Sequence, residues 1–393
     1  MSMGRFRFPV TLALLLALGV SPLSAAETEE LPPRPTVDLR HIHWQSGLAF
    51  ASAGTQGQAE LTLDQGLTHA ADELLREAAA RAGAIAAIDL RTGNVVVYTE
   101  RGAAGLLRGA HAPAASVFKL VTTAALFETT KLTPREQVCT VGGERGVERK
   151  HLDIPISADK RCGPLGQALG YSRNAAYAQL ATRHLLRTDL VDVASRLGFN
   201  DNVPFDAPVP VGRLSVPYND LEFARTATGF KNSTLSVLGG AYLASVIAYG
   251  GMSPRLRIVH QAGDFVAPEE PEFFGRVLTT STARRLTQMM EVTTRSGTAH
   301  HAFTDPEGHR YLGALRVAGK TGTLQPGAGL PTSSWFVGFA PADSPRIAVS
   351  VLLQNGDVWR RKAAEVARDF LRAYFSAQKS PGVTLPQALA KRE

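Results

Sequence analysis

Cysteine is scarce in this chain of 393 residues: only Cys139 and Cys162 occur. Two thiols and scattered histidines do not compose a zinc site. His41 with His43, and His300 with His301, therefore read as surface residues, and neither a metal nor a cofactor is implied. Aromatic residues are few, at 7%, and lysine and arginine are spread along the chain rather than gathered in runs. Without a basic stripe interleaved with aromatics, no nucleic-acid partner is expected. Internal repeats are not visible, and there is no long polar tract. With 20% charged and 44% hydrophobic residues, the composition predicts an ordered globular protein. Once the first 26 residues are set aside, no apolar run remains that would cross a membrane.

Those first 26 residues read as a secretory signal. Arg5 and Arg7 supply the charge, VTLALLLALGV (10–20) the apolar run, and Ser24-Ala25-Ala26 the small-residue cleavage site. An uncleaved anchor is the alternative, since no charge falls between Phe8 and Ala26. Ser21, Pro22 and Ser24 interrupt the run, however, which falls short of the roughly 20 residues a span needs. Either way the rest of the chain is exported, to the periplasm or the outer face of the cytoplasmic membrane. No cysteine follows the apolar run to carry a lipid. The net charge of +7 is read as a solvated basic surface. An oxidising compartment permits a disulfide between Cys139 and Cys162, and the alternative is two thiols too far apart to bridge.

Along the chain, residues 27–57 are weakly patterned and read as a linker or short N-terminal arm. Asp64 to Ala80 has helical spacing, and Ala84–Asp89 with Asn94–Thr99 forms a hairpin around Arg91-Thr92-Gly93. From Ser116 to about Leu243 helical patterns alternate with polar loops, and Thr282–Thr294 is a further amphipathic helix. Val317–Thr323, Ser334–Phe339 and Arg346–Leu353 read as an antiparallel meander. A docking helix, Arg360–Phe375, closes the domain, which is assigned to 58–377, with a polar tail over 378–393. Strands at both ends with helices between predict an α+β fold. Its antiparallel sheet is shared by the N- and C-terminal segments, and a mostly helical lobe is inserted.

Three short motifs carry the chemistry: SVFK (116–119), SRN (172–174) and KTG (320–322). If SVFK opens a helix, Ser116 and Lys119 stand one turn apart on one face, a nucleophile with its own base. The lysine serves as a base only when neutral, so burial and a second cation must lower its pKa from about 10.4. Its neighbours Val117, Phe118, Leu120 and Val121 suit burial, and Lys320 is the candidate cation. Each motif alone has an ordinary reading: a serine cap, a helix-surface lysine, an N-cap in YSRN. The ordered set of three is far more specific.

That set resembles the penicillin-binding transpeptidase family, which shares its fold with the serine β-lactamases. The resemblance extends to AELTLDQGLTHAADELL (59–75), AIAAIDLRTGNVVVYT (84–99), GYSRNAAYAQLATRHL (170–185), RSGTA (295–299), VAGKTGTLQP (317–326) and SWFVGFAP (334–341). It implies that Ser116 attacks the carbonyl between two D-alanines of a peptidoglycan stem peptide, with Lys119 as base. Ser172 would relay a proton to the leaving amine, and Asn174 would hold the substrate backbone and Lys119. Lys320, Thr321 and the Thr323 hydroxyl would bind the terminal carboxylate from an edge strand. Gly322 would let the substrate lie flat against that strand, and the amides of Ser116 and Thr323 would form the oxyanion hole. Stem peptides and covalently bound β-lactams are the implied partners, with other cell-wall proteins left open. The family usually places Pro-Gly-Ser at its nucleophile, whereas here HAPAAS (111–116) puts Ala114 and Ala115 before Ser116. Relatives in elongation or division complexes usually carry an N-terminal pedestal. The ~30 residues before the catalytic start are too few for one.

A D,D-carboxypeptidase differs only in letting water take the acyl group. A class A β-lactamase would need a glutamate in an ExxLN stretch, and VPVGRLSVPYNDLEFARTATG (209–229) has none, Glu222 being wrongly spaced. A class D enzyme usually has a branched apolar residue where Asn174 stands. A non-catalytic β-lactam or wall-peptide binding domain is the reading from another class, and three complete motifs argue against it.

Overall fold

The computed structural model describes residues 34–102, 105–143, 146–153, 161–325, 327–356 and 358–379. Residues 1–33, which include the stretch read as a secretory signal, and the tail beyond Lys379 lie outside them. Five antiparallel strands make the central sheet, in the spatial order Ala318–Leu324, Thr332–Ala340, Ile347–Asn355, Ala82–Asp89, Asn94–Arg101. The meander and the hairpin expected from sequence thus join through Ile347–Asn355 and Ala82–Asp89, paired from Ile347↔Asp89 to Gln354↔Ala82. Sharing the sheet between the two ends of the domain is the α+β arrangement predicted.

Both faces of the sheet are covered, which is why Ala82–Asp89 is buried at every position rather than alternately. On one face Ile85, Ala87, Phe336, Val349 and Val351 pack with the helices Gln65–Ala78 and Ala363–Lys379. Asp64 caps the first of these helices through Leu67 N. On the other face Ala84, Ala86, Val337 and Ala348 pack with the buried helix Val237–Ala248 and the inserted helices. Among the latter, Lys119–Thr129 is buried from Lys119 to Phe127, and Asn174–His184 from Asn174 to Ala181.

The structure corrects the linker reading for residues 38–57; residues 27–33 lie outside the described residues. Asp38–Gln45, Leu48–Ser52 and Gln58–Leu61 are strands of a second five-stranded sheet, completed by Val259–Ala262 and Phe265–Val266. Its buried face is built from Ala49, Ala51 and Ala59, fully shielded. Alanine is a poor strand former and gives little hydrophobic alternation, so the pattern is faint in sequence. The partner strand lies some two hundred residues away, with Val259 opposite Leu61. Cys139 and Cys162 do bridge. They face one another in a two-stranded ladder of Gln137–Thr140 with Arg161–Pro164. Among the described residues no helix is long and apolar enough to cross a membrane.

Candidate active site

Ser116 lies in a 3-10 turn, Ala115–Phe118, that runs directly into the helix Lys119–Thr129. In a 3-10 turn side chains three apart eclipse one another. Lys119 Nζ accordingly stands 2.6 Å from Ser116 Oγ. The serine is no cap: the residue preceding the turn is Ala114, which has no capping side chain. Ala115 holds φ +49°, the left-handed region that glycine enters freely and alanine enters with strain. The departure from Pro-Gly-Ser therefore falls on the residue whose backbone most favours glycine. Trp335 Nε1 donates to Pro113 O at 2.9 Å, tying the approach to this turn to the central sheet.

Lys119 is fully buried, and its amine meets three oxygens: Ser116 Oγ at 2.6 Å, Asn174 Oδ1 at 2.8 Å and the Thr228 carbonyl at 3.0 Å. Burial, and then the neighbouring Lys320, hold its pKa well below the usual lysine range. A neutral amine has two N–H groups and one lone pair. Asn174 Oδ1 and the Thr228 carbonyl can only accept, so they take both N–H groups, and the lone pair is left to receive the Ser116 proton.

Ser172 is not an N-cap either. It occupies the left-handed position, φ +55°, that ends the short helix Leu165–Gly170. Ser172 N donates to Leu169 O at 3.1 Å and Arg173 N to Ala168 O at 2.9 Å, the Schellman pattern in which glycine is usual. The next helix starts at once with Asn174. Lys320 Nζ lies 3.1 Å from Ser172 Oγ and 2.7 Å from Thr321 O, and burial brings Lys320 down to about 7. All three motifs therefore meet through two lysines.

Ala318–Leu324 is an edge strand of the sheet, as expected for the KTG wall. Ser116, Ser172, Asn174, Thr321 and Thr323 line one cleft of about 990 Å³. Gly322 has a packing role beside the one expected of it: a Cβ there would sit 3.2 Å from Ala115 Cβ and 3.3 Å from Val117 Cγ2. The glycine lets the strand approach the turn that carries Ser116. Three further participants escaped the sequence reading: Thr228, the carbonyl of Gly143, which accepts from Asn174 Nδ2 at 3.0 Å, and Thr298, whose hydroxyl is 2.5 Å from that of Thr321. Two of these contacts use backbone oxygens, which no motif records. Glu222 pairs instead with Arg225 at 2.6 Å and Lys231 at 3.4 Å.

The family model for the penicillin binding protein transpeptidase domain matches residues 83–374, well over half the chain. The chain belongs to this family. Peptidoglycan D,D-transpeptidase PbpA of Mycobacterium tuberculosis (strain H37Rv) is 28% identical over 261 residues, 62% of this chain and 50% of that one. The protein of that name from Mycolicibacterium smegmatis is 26% identical over 258 residues, with the same coverage. The chain spans about half the length of these relatives. Among solved structures, a D,D-transpeptidase domain from Eggerthella lenta has a TM-score of 0.67 at 22% identity, over 83% of this chain and 85% of that one. A penicillin G acyl-enzyme complex of penicillin-binding protein A from M. tuberculosis has 0.62 at 22%, over 82% and 80%. These likenesses establish the penicillin-binding transpeptidase fold.

Proposed function

We propose that this protein is a serine D,D-transpeptidase acting on peptidoglycan stem peptides that end in D-Ala-D-Ala, and that β-lactams acylate it. The observation that carries the reading is the buried Lys119 amine, held below its usual pKa, with its lone pair free for Ser116 Oγ at 2.6 Å. Lys119 takes the serine proton as Oγ attacks the carbonyl carbon of the penultimate D-alanine. The oxyanion is held by the amides of Ser116 and Thr323, a contribution of roughly 3 kcal/mol in comparable sites. Ser172, bonded to Lys320, relays a proton to the departing D-alanine nitrogen as the C–N bond breaks. Asn174 orients Lys119 and the substrate backbone, and Lys320, Thr321 and Thr323 bind the terminal carboxylate. An acceptor amine then attacks the Ser116 ester and returns the proton by the same route. We further propose that residues 1–26 are a cleaved signal and that the enzyme works outside the cytoplasmic membrane. The catalytic domain is proposed to extend through about Ala377.

Labelling with a fluorescent penicillin tests this. An adduct on Ser116 that persists, together with amine-dependent cross-linking of a D-Ala-D-Ala donor, is the expected result. Donor hydrolysis with no amine capture would make it a carboxypeptidase, and rapid catalytic loss of the β-lactam ring would make it a β-lactamase.

A further inference from the structure

Arg173 stands between the two polar side chains of the second motif, and no role has yet fallen to it. It lines the same cleft as Ser116 and is partly shielded from solvent. Its guanidinium lies 5.9 Å from the Tyr171 ring centroid, so one face rests on an aromatic surface. Gly163, on the disulfide-bridged hairpin, makes room for it: a Cβ there would sit 3.1 Å from Arg173 Nη1. Yet among the described residues the Arg173 side chain forms neither a hydrogen bond nor an ion pair, unlike the arginines at 187, 225, 257 and 316. Among the described cleft-lining residues the acid is Glu365, and it accepts from the amide of Lys362.

A guanidinium that is packed on its face, accommodated by a glycine and left without an acceptor is prepared for an anion arriving in its plane. Arginine's fork matches a carboxylate with two parallel N–H···O bonds. The KTG strand is a separate wall of the cleft, and its residues are already assigned to the C-terminal carboxylate. We propose that Arg173 determines specificity by binding a second carboxylate of the substrate, one at the end of the side chain preceding the two D-alanines. This rests on the transpeptidase reading above.

The test is competition against fluorescent penicillin at Ser116. Two peptides of the form acyl-X-D-Ala-D-Ala are used, identical except that the X side chain ends in a carboxylate or in its carboxamide. The wild-type protein should be protected by the acid at a concentration at least about ten-fold below that needed for the amide. In Arg173→Ala the ratio should fall to near one, mainly by weakening the acid, and Arg173→Lys should keep an intermediate ratio. Equal protection in the wild type, or an Arg173→Ala variant that weakens both peptides alike, would overturn the assignment. Complete absence of penicillin labelling would instead remove the transpeptidase reading, and this inference with it.

Discussion

Asn174 Nδ2 donates to the carbonyl of Gly143 at 3.0 Å, and this bond decides which end of the Asn174 amide faces Lys119. With the nitrogen committed to Gly143, Oδ1 is presented to the lysine amine at 2.8 Å. Gly143 follows by three residues the strand Gln137–Thr140, which is held to Arg161–Pro164 by the Cys139–Cys162 bridge. The disulfide and the partner of the Asn174 amide thus share one short piece of backbone.

Opening that bridge should therefore affect both stability and rate. Reduction, or Cys139→Ala with Cys162→Ala, frees a loop of 23-residue separation and should cost roughly 3 kcal/mol of stability. Penicillin acylation should also slow by about ten-fold, because Gly143 no longer fixes the Asn174 amide. Thermal melting and the second-order acylation rate check the two effects separately. An unchanged rate in the folded, reduced protein would show that the hairpin does not steer Asn174.

Replacing Ser116 or Lys119, the proposed nucleophile and base, should impair acylation by different routes. Ser116→Ala leaves nothing to acylate, and intact-mass analysis should find no adduct. Lys119→Arg puts a permanent cation, which cannot deprotonate, in place of the amine, so acylation should drop by about 10²–10⁴-fold. A near-normal rate in Lys119→Arg would mean that some other group takes the Ser116 proton.

Both buried lysines should leave a mark on the pH dependence of folding. Lys320 is brought down to about 7 and Lys119 lies well below its ordinary 10.5, in both cases chiefly by burial. Between about 7 and 10.5 the unfolded chain therefore binds more protons than the folded one, and stability must rise with pH. Urea midpoints taken from pH 7 to pH 9.5 should climb in the wild type and climb less in Lys320→Met. A falling midpoint in the wild type over that window would contradict the depressed pKa values.

Ala114 and Ala115 are adjacent, buried and chemically identical, yet glycine should treat them in opposite ways. Ala114 has φ −63°, where glycine loses entropy and a packed methyl, so Ala114→Gly should cost about 1 kcal/mol. Ala115 at φ +49° carries strain that glycine removes, so Ala115→Gly should be neutral or stabilising. Paired denaturant titrations decide it, and equal destabilisation by the two changes would count against the left-handed turn.

Much of this molecule follows from local sequence. The contact of Ser116 with Lys119 depends on a spacing of three residues within one helical turn, which the sequence shows directly. The hairpin at 82–101 and the meander at 318–355 are legible because strands, turns and breakers leave short-range patterns, and their order along the chain implies a shared sheet. What tertiary structure alone decided are the partners that have no side-chain signature or lie far away. The carbonyls of Thr228 and Gly143 complete the sites of Lys119 and Asn174 through backbone oxygens that every residue possesses. The packing of Gly322 depends on how closely its strand approaches Ala115, and the N-terminal sheet is completed by Val259–Ala262, a strand far away in the chain. A sequence specifies which groups are available; only packing removes water from Lys119 and Lys320, and it is chiefly the loss of water that lowers their pKa.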